Sequence, residues 1–318
     1  MRTIKSPEVY RNMGFWNEST QQAILNTEIA IAGNGGTGNL VGMELARIGI
    51  QKFKIADPEV FDDVNSNRVM SARFNTIGHN KAEVLKNDIL EINPDAEIDV
   101  YREGLSIDNV EEFLASADIV INGLELTRPE LGTMLARQAR KRKQKRVLSP
   151  VPMVDVEYIG HAGQGTVFDP TSIMTFEKFM GIRGGDKAPL DEVADQFIDP
   201  SFYLAYLPPY GDLKTLEAIR NGSPLPSNMI GAGVAAQIGL SEVIKLIRKR
   251  AGERGVNKPT YAPEVRWYDA YTNESGLTRN PRLSYYRHLG ALVLNNVLGN
   301  NEPASYNVNE RKSRGDIG

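Results

Sequence analysis

Through the first half of the chain, short apolar runs alternate with stretches whose apolar positions recur every three to four residues. Ile29–Ala32 and Lys52–Ala56 have the length and composition of strands. Between them Leu40, Val41, Met43, Leu45, Ala46 and Ile48 fall at helical spacing. A helix is predicted from Asn17 to Leu25, capped by Asn17 or Ser19. Another opens near Thr76–Lys81 and runs to about Ile92, where Asn93-Pro94-Asp95 breaks it. Glu97–Tyr101 alternates as a strand, Ile107–Ala115 reads as helix and Ile119–Asn122 as a buried strand. A helix over Pro129–Lys145 and a fifth strand over Val147–Val151 follow.

The pattern is weaker afterwards. A glycine-rich stretch, 160–165, precedes a strand over Thr166–Phe168. Residues 181–228 are irregular apart from a short helix over Leu213–Arg220, and so long a stretch reads as a lid or binding loop. Ile230–Arg248 is a helix rich in Gly and Ala, suited to the core or a dimer interface. Arg266–Tyr271 reads as an edge strand, and Leu289–Leu298 is apolar before a polar tail predicted to be flexible. Strands alternating with helices predict an α/β fold: a Rossmann-like, mostly parallel mixed sheet with helices on both faces. The expected organisation is an arm (1–27), a nucleotide-binding domain (28–180), a crossover insertion (181–228), a continuation of that domain (229–280) and a C-terminal segment (281–318).

The chemistry concentrates where the first strand stops, at Gly33-Asn34-Gly35-Gly36-Thr37-Gly38. Gly33 and Gly35 allow a tight turn and close approach of a phosphate, and Gly38 allows the helix to pack on the strand. Free N–H groups and the dipole at the helix start favour an anion. Asp57 follows about 20 residues on, where a carboxylate accepts from ribose hydroxyls. The alternative is a plain glycine-rich turn. The polar loop after Asp57 carries Glu59, Asn65, Asn67 and Arg68, and guanidinium suits phosphate oxygens. Lys81 lies in the first turn of its helix, where the dipole disfavours a cation unless an anion is near. Glu125, after the fourth strand, is a candidate magnesium ligand or a helix cap.

Composition narrows the choices. The chain has 318 residues, 41% of them hydrophobic, and a net charge of −3, so no global field for a polyanion is expected. The Arg- and Lys-dense run from Ala136 to Arg146 is a solvated helix face or an RNA or acidic-partner patch, and the lack of interleaved aromatics favours the former. No leader-like segment and no apolar run near 18 residues is seen, which predicts a cytoplasmic protein without membrane contact. There is no cysteine, which removes disulfides, thiolate nucleophiles and Cys-ligated zinc. His79, His161 and His288 lack metal-ligand spacing.

Taken in order, the glycine motif, Asp57, Asn65-Ser66-Asn67-Arg68, Gly78–Val84, Ile92-Asn93-Pro94 and Asp118–Ile121 resemble the ThiF/MoeB family, the adenylating fold shared with ubiquitin-activating enzymes. The resemblance covers about residues 8–170 and resumes at Met229–Ile247 and Arg266–Thr272. It implies an ATP-dependent adenylyltransferase that binds Mg·ATP and adenylates a carboxylate, usually the C-terminal glycine of a ubiquitin-like protein. By the motif, Gly33, Gly35, Gly36 and Gly38 would line the phosphates, Asp57 would hold the ribose with Glu59 beside it, and Asn67, Arg68 and Lys81 would meet triphosphate oxygens. Arg11 resembles an arginine that reaches into the partner's site in the family's homodimers. The family's metal-binding aspartate falls on Glu125. The paired CxxC motif is missing, so no structural zinc and no thioester are implied. The product would stop at the acyl-adenylate or pass to another nucleophile, as in microcin-modifying relatives. A tRNA-modifying cousin that closes a ring, an NAD-dependent oxidoreductase and a non-catalytic scaffold are the alternatives.

Overall fold

The computed structural model describes residues 1–141, 151–214 and 226–298. Eight strands form one sheet in the order β3-β2-β1-β4-β5-β6-β7-β8. They are β1 (Glu28–Ala32), β2 (Lys52–Ala56), β3 (Glu97–Tyr101), β4 (Ile119–Asn122), β5 (Met153–Ile159), β6 (Ala162–Phe168), β7 (Val265–Asp269) and β8 (Glu274–Thr278). The first five run parallel, with Ile31 facing Ile55 on one side and Ile121 on the other. The last three join antiparallel. Ile29–Ala32 of β1 and Ile119–Ile121 of β4 are apolar and buried because helices cover both faces of the sheet, the usual environment of a parallel strand.

Helices α1 (Glu18–Asn26), α2 (Gly36–Ile48) and α3 (Lys81–Ile92), with a long helix over Met229–Arg250, share one core with Ile29, Ile31, Ile55, Ile121, Val154 and Val156. Helices α4 (Val110–Phe113) and α5 (Pro129–Lys141), with short helical turns between 176 and 203, cover the other face. The C-terminal helix Pro281–Val297 packs against the turn at Pro200–Tyr203. Local chemistry sets the helix ends. Asn17 caps α1 by accepting from Thr20 N–H at 2.8 Å, and Gly49, at φ 120°, terminates α2. The long helix is apolar and long enough to cross a bilayer, yet it packs on β5, β6 and α2. Its close approach depends on small residues: a Cβ at Gly163 would strike the Ala235 backbone, and one at Gly239 would lie 2.9 Å from Val156.

Several predicted boundaries move. The fifth strand is Met153–Ile159, not Val147–Val151, of which only Val151 is described, and it is not in a strand. Asp155 and Glu157 interrupt the apolar run that would have marked it. β6 begins at Ala162, because a glycine-rich strand can lie directly under the long helix. Arg266–Tyr271 is not an edge: β7 is Val265–Asp269, and β8 pairs outside it. The helix expected over Ile107–Ala115 shrinks to Val110–Phe113. The remainder of the α5 prediction, residues 142–145, lies outside the described residues, as do most of the Leu213–Arg220 helix and the polar tail.

Candidate functional site

The carboxyl ends of β1, β2 and β4 meet where α2 begins, and the site is built there. Gly33 takes φ 86° and its N–H donates to the Ala56 carbonyl at 2.9 Å. A Cβ on Gly33 would overlap the Gly123 backbone, and one on Gly38 would overlap the Gly33 carbonyl. These glycines are required for the turn itself. Gly35 differs, since nothing lies within 4 Å of the position its Cβ would take. Gly35 is the N-cap of α2 and offers no side-chain cap, so the first N–H groups have no side-chain partner. Asn34 is fully buried, yet neither its amide oxygen nor its amide nitrogen has a partner, and the buried Thr37 hydroxyl also lacks one. Buried polar atoms left unpaired are costly, and a bound polyphosphate would accept from the Asn34 amide nitrogen and the Thr37 hydroxyl. The residues present therefore fit a nucleotide.

One flank of the turn is acidic and basic together. Asp57, 5% exposed, accepts from Asn34 N–H at 2.6 Å and from Glu59 N–H at 2.9 Å. Burial raises its carboxyl above the ordinary range, opposed by the Asn34 hydrogen bond and the Lys81 charge. Asn80 accepts from Ala82 and Glu83 N–H at 3.1 Å each, which starts α3 and makes Lys81 its first residue. Lys81 is 5% exposed, and its ammonium pairs with the Glu59 carboxylate. The cation disfavoured by the helix dipole is thus offset by two carboxylates, Asp57 and Glu59.

The opposite flank is the loop after Asp57. Phe61, Val69, Ala72 and Val84 form a small core beneath it. Ser71 accepts from the Asn39 amide of α2 at 2.8 Å, Arg73 binds Asp88 of α3 at 2.6 Å, and Ser71 also donates to Asp88. These contacts anchor the loop to both helices. Arg68 donates to the Val64 carbonyl at 2.7 Å and to Asn67 Oδ1 at 3.0 Å. Its guanidinium also meets the Tyr158 phenol, which lies against Gly36. Arg68 therefore stands beside the start of α2. The Asn67 amide donates to the Ser227 carbonyl at 2.8 Å.

Three predicted residues stand apart. Asn65 spends its side chain in a capping box with Asp62, so it shapes the loop instead of facing the turn. Arg11 is exposed in a turn of 3₁₀ helix, Pro7–Asn12, whose Asn12 donates to the Ile48 carbonyl at the far end of α2. At 1.5 Å per residue that is about 20 Å from Gly35, so Arg11 does not join this chain's own turn. Glu125 is exposed and accepts from Thr127 Oγ1 at 3.2 Å; among the described residues no group of three His, Asp or Glu could hold a metal. A cleft of about 430 Å³ lined by Trp16, Ile48, Leu240, Lys245 and Arg248 also lies at that far end, with Lys245 paired to Glu242 and Arg248 to Glu253.

Residues not singled out from sequence also belong here. Asn34 and Thr37 sit inside the glycine motif and were hidden by it. Tyr158 lies on β5 and meets the start of α2, whereas Asp155 and Glu157 of the same strand face the opposite side of the sheet, beside Phe179 and Tyr203. Asp155 is 5% exposed and accepts from the Asn122 amide at 2.6 Å. Burial pushes its pKa up to about 6 against that hydrogen bond. Glu157, on the same face, is held well above the ordinary carboxylate range by burial and then by Asp155. In the described part of the basic helix Arg137 and Arg140 turn inward, while Lys141 is exposed. Arg137 and Arg140 both bind the fully buried Glu177, at 3.0 and 2.7 Å, and Arg137 also donates to the Ala188 and Gly185 carbonyls.

Residues 9–288 match the model of the ThiF family. The tRNA threonylcarbamoyladenosine dehydratase of Escherichia coli (strain K12) is 28% identical over 159 residues, which is 50% of this chain and 54% of that protein. A probable molybdopterin-synthase adenylyltransferase of Porphyra purpurea is 33% identical over 105 residues, 33% of this chain and 28% of that protein. The aligned segment thus spans about half the length of the first relative or less. In fold, the chain is similar to E. coli MccB solved with ATP, at a TM-score of 0.61 and 16% identity, covering 88% of this chain and 73% of that one.

Proposed function

This chain belongs to the ThiF family, and we propose that it activates a carboxylate by ATP-dependent adenylation. The reading rests above all on the start of α2: an uncapped helix terminus, an open Gly35, and unpaired Asn34 and Thr37 between two cations. A carboxylate oxygen would attack the α-phosphorus of ATP, the bond to the bridging oxygen would break, and pyrophosphate would leave with the electron pair. Attack by an anion on a polyanion needs charge neutralisation. Arg68 and Lys81 would supply it, with Asn67 donating to a phosphate oxygen. Gly35 would let the triphosphate approach the backbone, in a turn that Gly33, Gly36 and Gly38 make possible by packing without side chains, and Asp57 with Glu59 would take the ribose. Incoming triphosphate would compete with Glu59 for Lys81. Glu125 is the carboxylate that would hold magnesium entering with the phosphates, and the ion would supply charge neutralisation at the leaving group. No protein nucleophile is needed, and without cysteine the product is not carried as a thioester.

The favoured substrate is the C-terminal carboxylate of a peptide or small protein, in support of which E. coli MccB, similar in fold, has been solved with both ATP and MccA. Arg11, exposed and distant from its own turn, is suited to reach a second copy's site in a homodimer. A second reading, a carboxylate carried on tRNA, is supported by similarity to threonylcarbamoyladenosine dehydratases. Pyrophosphate exchange into ATP tests both. Stimulation by peptides with a free C-terminus, abolished by C-terminal amidation, is expected. Stimulation by tRNA alone would replace the peptide reading, and exchange with neither would overturn both.

A further inference from the structure

Arg68 has only two partners within its own loop, the Val64 carbonyl and Asn67 Oδ1. The group that links it to the start of α2 is Tyr158 of β5. Its phenol meets both the Arg68 guanidinium and the Ser227 side chain, and its oxygen lies 2.5 Å from where a Gly36 Cβ would stand. Gly36 thus makes room for this hydroxyl at the first turn of the helix. The same Ser227 receives Asn67 at its carbonyl, and Gly160 N–H donates to the neighbouring Pro226 carbonyl at 3.0 Å. Loop, strand and crossing segment therefore meet at one phenol. Burial raises the phenol's pKa, with Arg68 opposing, so it stays neutral and keeps a proton to donate.

We propose that Tyr158 is the positioning residue for Arg68, holding the guanidinium at the mouth of the glycine turn and tying it to the segment at Ser227. The proposal rests on the adenylation reading. A pre-aimed guanidinium loses less freedom when the anion arrives, which is how a neutral residue raises affinity through a charged one.

The test is a double-mutant cycle on binding of Mg·AMPCPP, followed by calorimetry in wild type, Tyr158→Phe, Arg68→Ala and the double variant. Tyr158→Phe is expected to weaken binding about tenfold, the scale of one hydrogen bond to a charged group. Arg68→Ala is expected to weaken it further, and adding Tyr158→Phe to Arg68→Ala should change nothing more. Equal fold-losses in both backgrounds, or no loss in Tyr158→Phe, would overturn the role. If Tyr158→Phe folds poorly, Ser227→Ala serves instead, with a smaller loss that also vanishes without Arg68; a loss that persists there overturns the proposal. Wild-type protein that fails to bind Mg·AMPCPP would bring down the adenylation reading itself, an outcome distinct from additivity.

Discussion

Asp155→Asn should stabilise this protein, by an amount that builds between about pH 4 and pH 6 and stays constant above that. Asp155 is 5% exposed and accepts a hydrogen bond from the Asn122 amide. The folded-state pKa of about 6 stands roughly two units above the unfolded value. At 1.36 kcal/mol per unit, the native state is penalised by about 3 kcal/mol once both states are ionised. The sign follows from the raised value. Below about pH 4 both states are largely protonated and the penalty is small. It grows between about pH 4 and pH 6, where the unfolded state has released its proton and the native state still holds it, and levels off above that. An asparagine keeps an acceptor for the Asn122 amide and carries no charge. Urea denaturation near pH 4 and near pH 7.5 should therefore show Asp155→Asn gaining about 2 kcal/mol more at the higher pH. Equal effects at both pH values, or a loss confined to high pH, would refute the reasoning. Glu157, raised by burial and by Asp155, should titrate lower once that neighbouring charge is removed.

Further outcomes can be checked with standard variants. Gly38→Ala should lower stability by about 3 kcal/mol or more in denaturant melts, since its Cβ would overlap the Gly33 carbonyl and backbone cannot rotate away. Gly35→Ala has open space and an ordinary φ of −69°, so it should melt normally while losing ATP affinity in calorimetry. Lys81→Ala and Arg68→Ala should each lower pyrophosphate exchange about 100-fold or more. Glu177→Ala should cost about 3–5 kcal/mol by leaving Arg137 and Arg140 without their buried partner, read from the urea midpoint.

The parallel half of the fold was legible because its signals are local. An unbroken apolar run for β1, helical spacing for α2 and the Asn80 cap that places Lys81 each depend on residues adjacent in sequence. The antiparallel half was less legible because its determinants are long-range. β6 is rich in glycine because the long helix lies against it, and β8 exists because β7 offers an edge. β5 carries Asp155 and Glu157 in a buried strand, against the burial pattern expected for carboxylates, so its alternation was not read. Its misplacement also concealed Tyr158, a residue whose importance comes from meeting Gly36, Arg68 and Ser227 across the fold. Asn34 and Thr37 escaped for another reason. Within a glycine motif the side chains draw no notice, and only their burial without partners marks them. The Arg-rich end of α5 illustrates the reverse: residues that look solvated in sequence close on the buried Glu177.

The central claim is that a carboxylate oxygen attacks the α-phosphorus of ATP at the start of α2. Its most direct test is oxygen transfer, using peptides labelled with ¹⁸O in the C-terminal carboxylate and mass spectrometry of the nucleotide formed after hydrolysis or capture of the intermediate. The account predicts AMP carrying one labelled oxygen, lost in Lys81→Ala. Label in inorganic phosphate with ADP as the nucleotide product, or unlabelled AMP, would contradict it.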